Sequence, residues 1–190
     1  MDSFSTGGTR ENAIWGNNIF SNALKGIAVG SLAPLPNDLG DGDNGANRKQ
    51  NYPVLALALT DTNTTSISGT LNSVSNSTFR LEFFDNAVAE TNGYGEGQIY
   101  LGATDVTTDA SGNASFLFTH PAGLLYNHVI TATATDSNRN TSEFSASVRV
   151  LPWDSYDLGV SVADTLDPIG AGLPLTYTLV ITNQGPTNAI

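Results

Sequence analysis

The 190-residue chain contains no cysteine, which removes disulfides, thiol nucleophiles and Cys-based zinc sites together. That absence permits an oxidising compartment without requiring one. Basic residues are nearly as scarce: seven stand against 18 acidic ones, for a formal charge of -11. Only Lys25 and Lys49 are lysines, and no basic run occurs anywhere. Nucleic acids and anionic membrane surfaces require clustered Lys or Arg to neutralise phosphate, so neither is an expected partner. No run of about 18 apolar residues is present to span a bilayer, and MDSFSTGG at the start lacks the basic and apolar regions of a signal peptide. Good helix formers are outnumbered by Gly, Asn, Ser and Thr, a composition of strands and turns. With 39% apolar residues the chain can still bury a core, and its length allows one large domain or two small ones.

Patterning along the chain divides it into five spans. In residues 1–33, Asn12, Ile14, Gly16, Asn17, Ile19 and Asn22 are followed by Gly26, Ile27 and Val29. Apolar residues separated by Asn and Gly bends suit one coil of a right-handed parallel β-helix, or else an ordinary pair of strands with Asn-rich turns. Residues 34–52 are dominated by turn formers and read as an acidic Gly/Asn/Asp linker. Residues 53–150 carry seven short strand signals, near 54–60, 64–71, 78–85, 98–107, 113–119, 127–135 and 141–150. The last alternates most cleanly, with Phe144, Ala146, Val148 and Val150 expected to point inward. Regular spacing of this kind predicts an all-β, immunoglobulin-like antiparallel sandwich. Residues 151–155 form a short linker in which Trp153, with Tyr156 just beyond it, is expected to plug the junction. Residues 156–190 supply two strands, near 157–163 and 173–182, too few for a sandwich of their own.

Particular motifs carry a resemblance. Gly69-Thr70-Leu71-Asn72-Ser73, Phe79-Arg80-Leu81-Glu82-Phe83-Phe84, Gly93-Tyr94-Gly95-Glu96-Gly97-Gln98 and Thr131-Ala132-Thr133-Ala134-Thr135-Asp136 resemble a module of large bacterial surface proteins. In those proteins the module follows a right-handed parallel β-helix through an Asn-Asp-x-Gly-Asp…Gln-Asn-Tyr-Pro connector, to which residues 37–53 are similar, and residues 9–30 resemble the repeats of pectate-lyase-like β-helix proteins. The third unit resembles a widespread Ig-like surface repeat through Asp157-Leu158-x-Val160, Asp167-Pro168 and Asn183-x-Gly185-Pro186. Where that repeat often carries a lysine, this chain has Val162, so a lysine cross-link is not expected there. The resemblance implies the C-terminal part of a β-helix surface protein, secreted or at the cell surface, with no catalytic residues. Its signal and anchor segments would lie elsewhere in a longer chain.

Two polar clusters are candidate calcium sites. Asp38, Asp41, Asp43, Asn44 and Asn47 fall within ten residues of glycine-rich loop, and calcium takes 6–8 oxygens at about 2.3–2.6 Å. The spacing matches neither an EF-hand nor a β-roll repeat, and a solvated acidic linker is the alternative. Asp136, Asn138, Asn140 and Glu143 form the second cluster, with an Asx-turn hairpin as its alternative. His120 and His128 have no paired ligand spacing and read as ordinary solvated or hydrogen-bonded histidines. Glu82, Glu90, Glu96, Asp105 and Asp109 would serve acid–base catalysis only if the fold brought them together.

The expectation is therefore a non-catalytic structural or adhesive module whose partners are neighbouring domains of its own chain and a glycan or surface ligand. Calcium would be its sole cofactor. The alternative is an accessory or carbohydrate-binding part of a β-helix polysaccharide-processing enzyme whose active face lies upstream of this span, with Trp15 and Tyr94 as stacking residues.

Overall fold

The computed structural model describes residues 8–31, 33–153, 158–164 and 170–183. Tyr156, Asp157, the Asp167-Pro168 pair and Gly185-Pro186, on which parts of the reading above rest, lie outside them. The protein is all-β, with no α-helix among the described residues. Seven strands share one sheet: β1 (Val54–Thr60), β2 (Thr65–Asn72), β3 (Thr78–Asn86), β4 (Ile99–Thr107), β5 (Asn113–His120), β6 (Val129–Thr135) and β7 (Val148–Pro152). Their order is β4-β3-β6-β7-β1-β2-β5, and the sheet is mixed and nearly closed. β8 (Leu158–Asp164) and β9 (Tyr177–Asn183) form a separate antiparallel pair, with Val160 opposite Ile181 and Val162 opposite Leu179. The chain divides into two compact units between Leu151 and Pro152.

Local chemistry explains the hairpins. At the β1–β2 turn the Asp61 carboxylate accepts the backbone N–H groups of Asn63 and Thr64, both at 2.7 Å, which holds its pKa below the usual range. At the β4–β5 turn the Asp109 carboxylate accepts the backbone N–H groups of Ser111 and Asn113, at 2.8 and 2.9 Å. Each strand then sends alternate residues inward: Ile67 and Leu71 from β2, Phe79, Leu81 and Phe83 from β3, Phe116 from β5, and Ile130, Ala132 and Ala134 from β6. Burying each of the larger side chains stabilises the fold by about 1.5–3 kcal/mol. Closure runs through the phenylalanines. Phe83 stacks on Phe118 with ring centroids 4.5 Å apart, and Phe118 lies over Gly102, where a Cβ would come within 2.9 Å of the ring. Gly102 also sits at φ 141° opposite the bulge between Phe83 and Phe84, a backbone geometry that suits glycine.

One expected strand is much shorter than its pattern. Of residues 141–150, only the end is strand, and Asn140 through Ser145 are all buried instead of alternating. The serines cause this. Ser142 N–H donates to Ala134 O at 2.9 Å while its hydroxyl accepts Ala134 N–H at 2.9 Å, and Ser145 repeats the arrangement on Ala132. Three residues therefore follow two of β6, and a hydroxyl stands where a ladder carbonyl would be. Ala146, expected inside, is exposed.

The stretch read as a terminal β-helix coil makes no strand among its described residues. Residues 9–31 and 33–35, hereafter the strap, run irregularly against β3, Tyr100 of β4 and the segment 140–145, and a single β-bridge, Ile19–Gly97, joins them to the segment before β4. Ile14, Ile19, Ile27, Val29 and Leu35 pack there against Phe84, Tyr100 and Phe144 in a second apolar cluster. The stretch read as a linker, 34–52, is likewise ordered and packed. Asn47, Gln50, Asn51 and Tyr52 are buried within the same compact unit as the sheet.

Candidate functional site

The loop before β1 is built by side-chain amides. Asn37 closes on Tyr52 through both ends of its carboxamide, at 2.8 and 3.0 Å, and Asn51 ties Asp38 to β2 through Asn72 O at 2.8 Å. Asn47, Arg48 and Lys49 all adopt positive φ (43°, 54° and 51°), a conformation that costs roughly 1–2 kcal/mol per residue. The Asn47 carboxamide offsets that cost with four hydrogen bonds: Oδ1 accepts Asn12 N and Nδ2, and Nδ2 donates to Asn12 O and Thr141 O.

This scaffold brings three of the five predicted calcium ligands together. Asp38, Asp41 and Asp43 each place a carboxylate oxygen within 4.8 Å of the others. Oxygens on one calcium shell lie at most about 5 Å apart, twice the metal–oxygen distance, so the triad fits a single ion. Asp41 accepts Asn51 N–H and the Ser73 hydroxyl, yet burial, aided by repulsion from Asp38 and Asp43, pushes its pKa up to about 6. Asp43 Oδ1 is buried without a hydrogen-bond partner, while Oδ2 lies 3.4 Å from Lys49 Nζ. The asparagines do not join them. Both ends of Asn47 are spent on the strap, and Asn44 Oδ1 accepts from Arg10 at 3.2 Å.

The second cluster separates. Asp136 accepts the backbone and side-chain amides of Asn140, at 2.8 and 2.9 Å, in the Asx-type turn that was the alternative reading. Glu143 points away from it, to Lys25 and to the backbone N–H groups of Val29 and Leu35. Asp136 and Asn138 instead line, with Asp41, Arg48 and Gln50, a cavity of about 110 Å³, so both predicted clusters border one space.

Sequence reasoning missed the use made of the buried glutamates. Glu82 Oε2 accepts Gly16 N–H at 2.8 Å while Oε1 receives Arg80 Nε at 2.9 Å. Glu96 accepts the backbone N–H and side-chain amide of Asn22, and Glu143 holds Lys25, Val29 and Leu35. Each is an isolated acid beside glycine, serine or a large apolar residue, a local signal that marks burial without naming the partner. Two of the five carboxylates weighed for catalysis are thus committed to the strap, and Asp109 to its own turn. His120 Nδ1 lies 3.1 Å from Leu101 O, and His128 Nδ1 lies 3.0 Å from both oxygens of Asp85. Trp15 is half-exposed, with the Arg80 guanidinium 5.7 Å from its ring centre, while Tyr94 packs edge-on against Tyr52. A cleft of about 140 Å³ lies beside Tyr94, between Leu24, Glu90 and Glu96.

No protein-family model matches the chain, and no curated protein matches it.

Proposed function

We propose that the chain is a non-catalytic structural and adhesive module of a secreted or cell-surface bacterial protein, one that spaces and displays its neighbouring domains. On this reading the nearly closed sheet is an immunoglobulin-like sandwich, and β8–β9 begin a second Ig-like repeat. The observation that carries the reading is the Asp38–Asp41–Asp43 triad, set in the loop that fastens the strap to β1. Calcium there would neutralise three mutually repelling carboxylates and stiffen the joint. The commitment of buried Glu82, Glu96 and Glu143 to backbone N–H groups supports a structural role for them in place of acid–base chemistry. Thermal unfolding in about 5 mM calcium and in chelator tests the reading. A melting temperature raised by several degrees, and not raised in Asp41→Asn/Asp43→Asn, supports it, and superimposable curves reject it.

A second reading, glycan binding, is favoured by the half-exposed Trp15 indole backed by Arg80. Saturable binding to an arrayed saccharide that Trp15→Ala abolishes would support it.

A further inference from the structure

The sheet and the strap have separate apolar cores. The inner core consists of residues from β1 to β7, including Ile67, Phe83 and Val150, and contains no strap residue. The outer one joins strap residues Ile27 and Val29 to Phe84 and Phe144. Between them the attachment is made mostly by side chains. Backbone N–H groups of Glu11, Ile14, Gly16 and Asn22 are accepted by Asn140, Thr141, Glu82 and Glu96 in turn, and those of Val29 and Leu35 both by Glu143. Fit is close across the contact: a Cβ on the strap's Gly26 would lie 3.1 Å from the Phe144 ring.

We propose that the outer side of β3, with Tyr100 of β4 and the segment 140–145, is a docking groove for a peptide chain, and that residues 9–31 and 33–35 occupy it as a strap that opens and recloses as one unit while the seven-stranded sheet stays folded. Two physical features argue for it. First, lifting the strap takes no residue from the inner core and no ladder partner from any of the seven strands: its backbone bonds are the Ile19–Gly97 bridge and the single bonds from Asn47 N–H to Thr9 O and from Thr141 N–H to Asn12 O, and its other losses are the outer cluster and the Asn47 clasp on Asn12. Second, the walls of the groove read main-chain N–H groups through carboxylates and hydroxyls, while its floor of Phe84, Tyr100 and Phe144 takes spaced aliphatic residues. Those are the terms on which an extended peptide is recognised, here without strand addition. The proposal is independent of calcium at the acidic loop.

Native-state hydrogen exchange on the full chain tests it. The amides of Ile14, Gly16, Asn22, Val29 and Leu35 are expected to share one opening free energy, lower than that of amides in β2 and β3. Glu143→Gln is expected to speed all of them about ten- to a hundredfold, including distant Gly16, and to leave β2 and β3 unchanged. Strap amides that exchange only with the sheet would overturn the proposal, as would acceleration confined to Val29 and Leu35. A second measurement uses a fluorescent peptide of residues 8–33 and the full chain carrying Ile27→Asp. Saturable binding that a further Phe144→Ala abolishes supports a groove. Absence of binding, or loss of the sheet's circular dichroism in Ile27→Asp, overturns it.

Discussion

Asn47 grips Asn12 from both sides of its backbone, accepting its N–H at 3.1 Å and donating to its carbonyl at 2.8 Å. A residue that sequence spacing assigns to a metal thus serves as the clasp between the acidic loop and the strap. Asn47→Ala would remove four hydrogen bonds and leave alanine at φ 43°, so it should cost on the order of 3 kcal/mol. Urea unfolding measures that loss. The calcium-dependent rise in melting temperature should survive in this variant, because no Asn47 oxygen is free for an ion.

The raised pKa of Asp41 gives stability a definite pH dependence. Its carboxyl keeps a proton up to about pH 6 in the folded chain and only to about 3.9 when unfolded. Folding therefore takes up a proton between those values, and Asp41's contribution to stability is full below about pH 4 and lost as pH rises through about 6. Because Asp41 is only half-buried, the loss should be on the order of 1–2 kcal/mol. The difference in unfolding free energy between wild type and Asp41→Asn, followed from pH 4 to 7 in chelator, isolates it. Saturating calcium should flatten the difference by favouring the ionised form.

Ser142 and Ser145 act as surrogate ladder carbonyls for Ala134 and Ala132. Ser142→Ala and Ser145→Ala should each strand a buried N–H and cost about 1–3 kcal/mol in chemical denaturation. Ser147→Ala, at a site that is not buried, should change stability by less than about 0.5 kcal/mol.

Lys25 and Glu143 form an ion pair whose side chains are only 8% and 4% exposed. Lys25→Met should leave Glu143 charged without its cation and cost about 3 kcal/mol. Lys25→Met/Glu143→Gln should cost less than the sum of the single changes, and a double-mutant cycle by calorimetry reads that coupling.

How far the sequence is legible depends on the range of the interactions that shape each part. The strands at 54–60 and 78–85 stand within a residue of their expected limits, because alternation and Asx turns are encoded over a few neighbours. The acidic triad is legible for the same reason. The strap is not: Glu11 meets Asn140 across 129 positions and Gly16 meets Glu82 across 66, and pairings so distant leave no periodicity. Asn44 and Asn47 misled because an amide oxygen suits a cation and a backbone N–H equally well. Residues 140–145 misled because their serines face inward, where polarity alone places them outside.

The separation between the strap and its acceptors also sets an order of events during synthesis. The strap leaves the ribosome before the sheet, whereas Asn140, Thr141 and Glu143, which receive its N–H groups, are made more than a hundred residues later. The cluster around Ile27 and Val29 is therefore complete only once Phe144, late in the sheet, has been translated. This unit is thus completed by the capture of an early segment by one made more than a hundred residues later.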